Sequence, residues 1–328
     1  MIKSACCYSL LLVLAMWSTE SPASPVAEQA DQLDRLHSLL ILHRGEPAVE
    51  LVREGPGLSN PANIKSVSKT VLSALVGIAI DRDLIESIDT PLIELLGDRF
   101  PENATPGAEQ ITLGHALAMQ IGLESTSGGN YGRWVQSKDW VGHVLTRPMV
   151  DRPGGRMIYS TGATHLAAAA LVEVTGRDLL TLAREWLGEP LSIRIPDWMA
   201  DPQGIHFGGN EMLLSPRALA RVGELYRLGG QLNGRRIISD QWIEQSWDAN
   251  GRSPWTGDEY GYGWFITEVE GLSAYYGRGF GGQALFVVPE AELTVAITSD
   301  PNPPSSGGWQ FRQLSALVGL AIREFHPE

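Results

Sequence analysis

Cysteine is nearly missing from this sequence. There are two, Cys6 and Cys7, and both precede an apolar run close to the N-terminus. Once that leader is removed, the chain can form no disulfide, no thiol nucleophile and no zinc-thiolate site. Lysine is almost as scarce, with only Lys3, Lys65, Lys69 and Lys138. The longest basic cluster is Arg235-Arg236, the net charge is -13 and the isoelectric point is near 5.0. A chain so acidic offers no track for phosphates, so no nucleic-acid partner is expected. The seven histidines are scattered, with no His-Glu-x-x-His pair, and no metal site is expected. His115, His143 and His165 read as ordinary loop or helix residues. There is no Gly-x-Ser-x-Gly, which argues against a nucleophile elbow. No apolar stretch is long enough to span a bilayer, and no internal repeat or long low-complexity run is present.

What is present begins with a three-part leader. Lys3 supplies a positive charge, "LLLVLAMW" a short apolar core, and Ser21-Pro22-Ala23 a small-residue cleavage site. Residues 1–23 are expected to be a signal peptide and the mature chain to start near Ser24. The cysteines lie on the wrong side of the apolar core for a lipoprotein. The expected location is a bacterial periplasm or the medium, with no stable membrane insertion after cleavage.

The mature chain, residues 24–328, reads as one α/β domain of the α+β type. Strand signals open and close it, and helices fill the middle. Leu39 to His43 and Val49 to Val52 are β-rich around a Gly45-Glu46-Pro47 turn. "THLAAAALVEVTG" and "SPRALARVGELYRLGG" are helices with Gly stops, the second capped by Ser215 with Pro216 in its first turn. "YGYGWFIT", "SAYYG", "QALFVVP" and "LTVAITS" are strands, and "WQFRQLSALVGLAIREF" is a closing amphipathic helix. The simplest architecture is an antiparallel sheet built from both chain ends (about 30–84 and 250–328) and flanked by helices. A mostly helical region (about 85–249) is inserted, and a cleft lies between the two parts.

Within "NIKSVSKTVLSALVGIAI" a lysine stands at the front of an otherwise apolar helix. Positions i and i+3 share a helix face with Cβ atoms about 5–6 Å apart, so Lys69 can reach Ser66. A serine hydroxyl needs a neighbouring base, and burial would lower the lysine pKa far enough for it to serve. The backbone N–H of Ser66, at a helix N-terminus, could donate to an oxyanion. The same residues also fit a plain helix cap with a lysine snorkelling to the surface. A second element, "YST", places Tyr159 on a loop before a helix, where it could relay a proton or simply pack as an aromatic. A third, "YGRGFGGQALFVVPE", puts glycines at a strand start, where a substrate can approach the backbone. It runs into a strand, so it is no phosphate loop. Trp134, Trp140, Trp255 and Tyr260 fit either the cleft or the packing between the two regions.

With "SVSK", "YST" and "GRGFGGQ" in this order, the chain resembles the β-lactamase-related serine hydrolases over nearly all its mature length. The glycine stretch with Gln283 is most similar to the 6-aminohexanoate-dimer hydrolase-like branch. The resemblance implies Ser66 as acylated nucleophile, Lys69 as its activator and Tyr159 as general acid/base. It also implies an oxyanion hole from the N–H groups of Ser66 and Phe280, and substrate contacts near Thr161, Arg278, Gly281 and Gln283. No cofactor is implied, and the expected partner is a small-molecule ester or linear amide. Three departures from the family pattern stand out. Thr161 replaces an asparagine, Gly277 stands where lysine or histidine begins the third motif, and Gln120-Ile121 replaces small polar residues. A β-lactam carboxylate would use that missing cation unless Arg278 substitutes. The alternatives are an enzyme acting on β-lactams or cell-wall peptides, and a non-catalytic ligand-binding relative.

Overall fold

The computed structural model describes residues 24–302 and 308–327; the expected signal peptide lies outside the described residues. Eight strands form one antiparallel sheet: β1 (Leu36–His43), β2 (Glu46–Val52), β3 (Gly251–Arg252), β4 (Glu259–Tyr260), β5 (Phe265–Val269), β6 (Leu272–Gly279), β7 (Gln283–Val288) and β8 (Leu293–Ser299). Their order across the sheet is β2-β1-β8-β7-β6-β5-β4-β3, so the first hairpin of the chain pairs with the last strand. The β1–β2 turn is tighter than the sequence reading has it. Arg44 and Gly45, at φ 56° and 83°, form a two-residue turn, and Pro47 lies in β2. Two left-handed residues match the twist of a hairpin, and β2 is an edge strand, where proline is tolerated.

The central strands β7 and β8 are buried at every residue, because helices cover both faces of the sheet. Side chains alternate along a strand, and the two covers divide accordingly. Phe286 of β7 and Tyr276 of β6 meet Phe311 of the C-terminal helix α5 (Gly308–Phe325). Leu285 and Val287 face α4 (Pro216–Arg227) on the other side. There Gly223 lets helix and sheet approach, since a Cβ would lie 2.6 Å from Thr294 Cγ2 and 2.9 Å from Leu285 Cδ1. Ser215 caps α4 through the Ala218 N–H at 3.1 Å, with Pro216 in the first turn. A short helix α1 (Pro25–Asp31) precedes β1.

The helix α2 (Ser68–Asp81) is buried from Ser68 to Ala79, which explains its lack of an amphipathic pattern. It lies between the sheet and α3 (Thr161–Thr175) of the helical region; α3 ends at Gly176 with φ 63°. Two of its three buried hydroxyls dock it to the β4–β5 turn. Thr70 Oγ1 donates to the Gly263 carbonyl at 2.8 Å, and Ser73 Oγ donates to that of Tyr262 at 2.6 Å. The turn also breaks "YGYGWFIT" into two strands. Gln120, unexplained as a sequence feature, ties the regions together. Its Nε2 donates to the carbonyls of Gly155 at 2.7 Å and Asn250 at 2.8 Å. Trp134, Trp140 and Tyr260 are packing residues, whereas Trp255 is 65% exposed. Among the described residues no helix is long and apolar enough to cross a membrane.

Gly223→Ala tests this packing, because local and tertiary terms oppose each other. Alanine is favoured over glycine in a helix by about 1 kcal/mol, while overpacking a filled interface costs about 1–3 kcal/mol. The expected net outcome is a loss of stability, read as a lowered denaturation midpoint with an unchanged slope.

Candidate active site

Ser66 lies in a single 3-10 turn, Lys65–Val67, immediately before α2. The turn is held by side chains the sequence reading passes over. Ser68 Oγ donates to the Lys65 carbonyl at 2.5 Å and accepts from the Met212 N–H at 3.3 Å. Lys65 and Glu211 both take positive φ, at 48° and 62°. Such backbone is costly for residues with a Cβ and persists only where the surroundings impose it. Their side chains form an ion pair at 3.0 Å, and Asn63 Nδ2 donates to the same carboxylate at 2.6 Å.

Lys69 is 2% exposed. Its Nζ lies 3.0 Å from Ser66 Oγ, 2.6 Å from the Gly209 carbonyl and 3.4 Å from Thr161 Oγ1. Burial lowers its pKa, and the neighbouring Tyr159 only partly opposes the shift. In its neutral form the amine has two N–H donors and one lone pair, and with Gly209 and Thr161 as acceptors the lone pair would be left for the Ser66 hydroxyl; as an ammonium it would donate to all three. Its burial argues against a lysine snorkelling to the surface. The Tyr159 ring centroid is 5.0 Å from the same Nζ. Ser125 Oγ donates to the Tyr159 carbonyl at 2.6 Å, and the Trp255 ring meets the tyrosine edge-on at 5.9 Å.

The remaining site candidates divide. Thr161 is nearly buried between Lys69 and Ser127, whose Oγ lies 3.0 Å from Thr161 Oγ1. It faces the lysine's proton as well as the pocket. Gln283 is 1% exposed, and both ends of its amide are engaged. Nε2 donates to the Ser299 carbonyl at 2.7 Å, and Oε1 accepts the Ser299 N–H at 3.0 Å. Gln283 thus secures the end of β8 to β7 rather than offering its amide to a substrate. Gly281 has φ 81°, in the turn that leads into β7. Phe280 is 48% exposed beside the pocket. Neither its N–H nor that of Ser66 has a hydrogen-bond acceptor among the described residues. Arg278 lies over the rings of Phe265 and Phe311, with its Cζ 5.7 and 5.3 Å from their centroids. No carboxylate pairs with it among the described residues. Gly277 has a steric reason, since a Cβ there would lie 2.5 Å from Thr70 Oγ1 and 3.1 Å from Val67 Cγ1. Any side chain, cationic or not, would push β6 off the turn that carries Ser66.

These groups open onto one cavity of about 840 Å³. Ser66, Ser127, Tyr159, Asn210 and Glu211 line one side, and Trp255, Phe265, Phe280 and Phe311 give an apolar wall. Among the described residues no cluster of three His, Cys, Asp or Glu side chains could hold a metal.

A serine–lysine contact at the start of a buried helix, against the inner strands β6 and β7 of the antiparallel sheet, is the setting in which the relatives of this chain can be considered. The sequence model described as Beta-lactamase matches residues 38–316, and the chain belongs to that family of β-lactamase-fold hydrolases. It is 24% identical over 309 residues to the 6-aminohexanoate-dimer hydrolase of Paenarthrobacter ureafaciens, covering 87% of this chain and 77% of that protein. Among solved structures it resembles a penicillin-binding protein homologue from Caulobacter crescentus, with TM-score 0.74, 19% identity, and coverage of 91% of this chain and 96% of that one. It also resembles a family VIII carboxylesterase, with TM-score 0.70, 18% identity, and coverage of 91% and 97%.

With few lysines, the protonation of Lys69 is directly measurable. In protein labelled with ¹³C-lysine, the Lys69 Cε signal is expected to titrate below the ordinary lysine range, with Lys69→Met providing its assignment. A signal that stays fully charged up to the ordinary range would contradict the lone-pair geometry.

Proposed function

We propose that this chain is an exported serine hydrolase that cleaves an ester or linear amide through an acyl-enzyme on Ser66. The observation that carries the reading is the contact of Lys69 Nζ with Ser66 Oγ at 3.0 Å, made by a buried amine that has two further acceptors, Gly209 and Thr161, for the hydrogens of its neutral form. Lys69 takes the hydroxyl proton as Ser66 Oγ bonds to the substrate carbonyl carbon. The N–H groups of Ser66 and Phe280 receive the oxyanion. Tyr159, beside Lys69, passes a proton to the departing oxygen or nitrogen, which leaves as an alcohol or amine. Water then attacks the acyl carbonyl, gives up a proton through the same two residues, and releases the acid and Ser66. The leader sequence supports export, and the hydrolase and esterase relatives support the substrate class.

The apolar wall suits an aliphatic or aromatic acyl chain. Arg278, with no acid of its own among the described residues, favours substrates that carry a carboxylate along that wall. Gly277 leaves no room for the third-motif cation, so a linear ester or amide is the better reading than a β-lactam.

The decisive experiment is intact mass of the mature chain after brief exposure to a short-chain p-nitrophenyl ester. A nitrophenol burst with one acyl adduct is expected in the native chain and not in Ser66→Ala. No adduct with esters, linear amides or a penicillin would sink the proposal and favour a ligand-binding role. Lys69→Met and Tyr159→Phe should each slow acylation by about 10²–10⁴-fold. The native rate should rise with pH as Lys69 loses its proton, because only the neutral amine accepts one. Arg278→Ala should raise KM about tenfold for an ester ending in a carboxylate and leave a neutral ester unchanged.

A further inference from the structure

Behind Lys69, away from the cavity, lies a second pair of ionisable groups that the hydrolytic steps do not use. His165 is wholly buried and Asp201 is 6% exposed, with His165 Nε2 3.0 Å from Asp201 Oδ2. His165 lies on α3, one turn after Thr161, amid the rings of Trp134, Trp140 and Phe207. A charge–imidazole pair in such apolar surroundings is expensive unless every polar atom has a partner. Here every one has. Asp201 Oδ1 accepts the N–H groups of Gln203 and Ile205, both at 2.8 Å. His165 Nδ1 accepts the N–H of Gly208 at 3.4 Å. A backbone N–H can only donate, so Nδ1 carries no proton and Nε2 donates to Asp201.

The partner of Nδ1 matters because of the next residue. Gly208 precedes Gly209, whose carbonyl takes the shortest hydrogen bond from Lys69 Nζ. Both glycines press on α3 with no room for a side chain. A Cβ on Gly208 would lie 2.3 Å from Ala168 Cβ, and one on Gly209 would lie 2.0 Å from Thr164 Oγ1. A chain of contacts thus runs from the Asp201 carboxylate through His165 to Gly208, and from Gly209 through Lys69 to Ser66.

We infer that His165 and Asp201 are positioning residues, which hold the Gly208–Gly209 segment so that the Gly209 carbonyl orients Lys69 and sets that lysine's affinity for its proton. The inference rests on the proposed role of Lys69 as the base, and neither residue touches substrate. Asp201 fixes the histidine tautomer. An amide in its place would aim an N–H at Nε2 unless the ring moved its proton to Nδ1. That proton would then oppose the Gly208 N–H and release the peptide. A carbonyl acceptor favours the ammonium form, so losing it lowers the Lys69 pKa further. The other charged or titratable groups around the site are Tyr159 on the loop before α3, the Lys65–Glu211 pair, and Arg278 on β6. Asp201→Asn leaves all of these in place.

The test is the Cε titration of Lys69 in ¹³C-lysine-labelled mature protein, comparing native, Asp201→Asn and His165→Gln chains. Thermal melts serve to check that each is folded. The glutamine can still donate to Asp201 but gives Gly208 no ring-nitrogen acceptor, so it probes the same link if the first variant does not fold. The Lys69 midpoint should fall by about one pH unit in each folded variant, the size of shift one good hydrogen bond to a charged group produces. Where esters are turned over, the acidic limb of kcat/KM should move down with it and kcat/KM should drop about tenfold, with KM nearly unchanged. A midpoint that stays in place or rises overturns the inference, whatever happens to the rate. The titration needs no substrate, so a chain that hydrolyses nothing would refute the proposed function while leaving this inference testable.

Discussion

The contact between a buried lysine amine and the Ser66 hydroxyl is the constraint around which this structure is organised. An amine in the interior is costly unless its hydrogens are met, and burial lowers its affinity for a proton. Both burial and partners are imposed from a distance. Burial comes from α2 lying between the sheet and α3. The acceptors come from Thr161 at the start of α3 and from Gly209 in a loop far along the chain. If the amine were allowed to reach water, it would carry a proton at neutral pH and could accept none.

Much of the unusual backbone follows from bringing these pieces together. The turn that carries Ser66 passes through a left-handed lysine, and the loop opposite passes through a left-handed glutamate; their side chains clamp each other across the gap. Close approach is bought with glycine at Gly209, Gly263 and Gly277, where any Cβ would meet α2, the turn before it or α3. Gly277 also explains a departure from the family pattern. The strand lies so near the nucleophile's turn that a longer residue could not stand there, and the site's free cation is displaced to Arg278, over two phenylalanine rings.

The site was legible in sequence to the extent that it is local. Ser66 and Lys69 are three residues apart, and one helical turn carries one to the other. The caps at Ser215 and Gly176 were legible for the same reason. The glycine stretch suggested room for a substrate at the backbone; what the structure shows is Gly277 and Gly279 packed close against the turn that carries Ser66 and the start of α2, and the spacing could not show which side chains of "GRGFGGQ" face the cavity. Gln283 fits the motif, and yet its amide is closed on Ser299. His165 read as ordinary because the meaning of a lone histidine depends on what packs against it, and Asp201 is 36 residues away. The pair of glycines in "FGGNE" was a signal without a context.

By itself, the sequence determined the order of strands and helices, the leader-like N-terminus, the serine–lysine spacing and the confinement of both cysteines to that leader-like stretch. Each of these follows from composition or from periodicities of two to four residues, which act whatever the rest of the chain does. Only the tertiary structure decided that the lysine is buried, that Gly209 and Thr161 lie within reach of its hydrogens, that Gly277 has no room for a cation and that Arg278 pairs with no acid among the described residues. These depend on distances between segments far apart in the chain, 92 residues for Lys69 and Thr161 and 140 for Lys69 and Gly209, set by how helices and sheet pack; no local pattern encodes them.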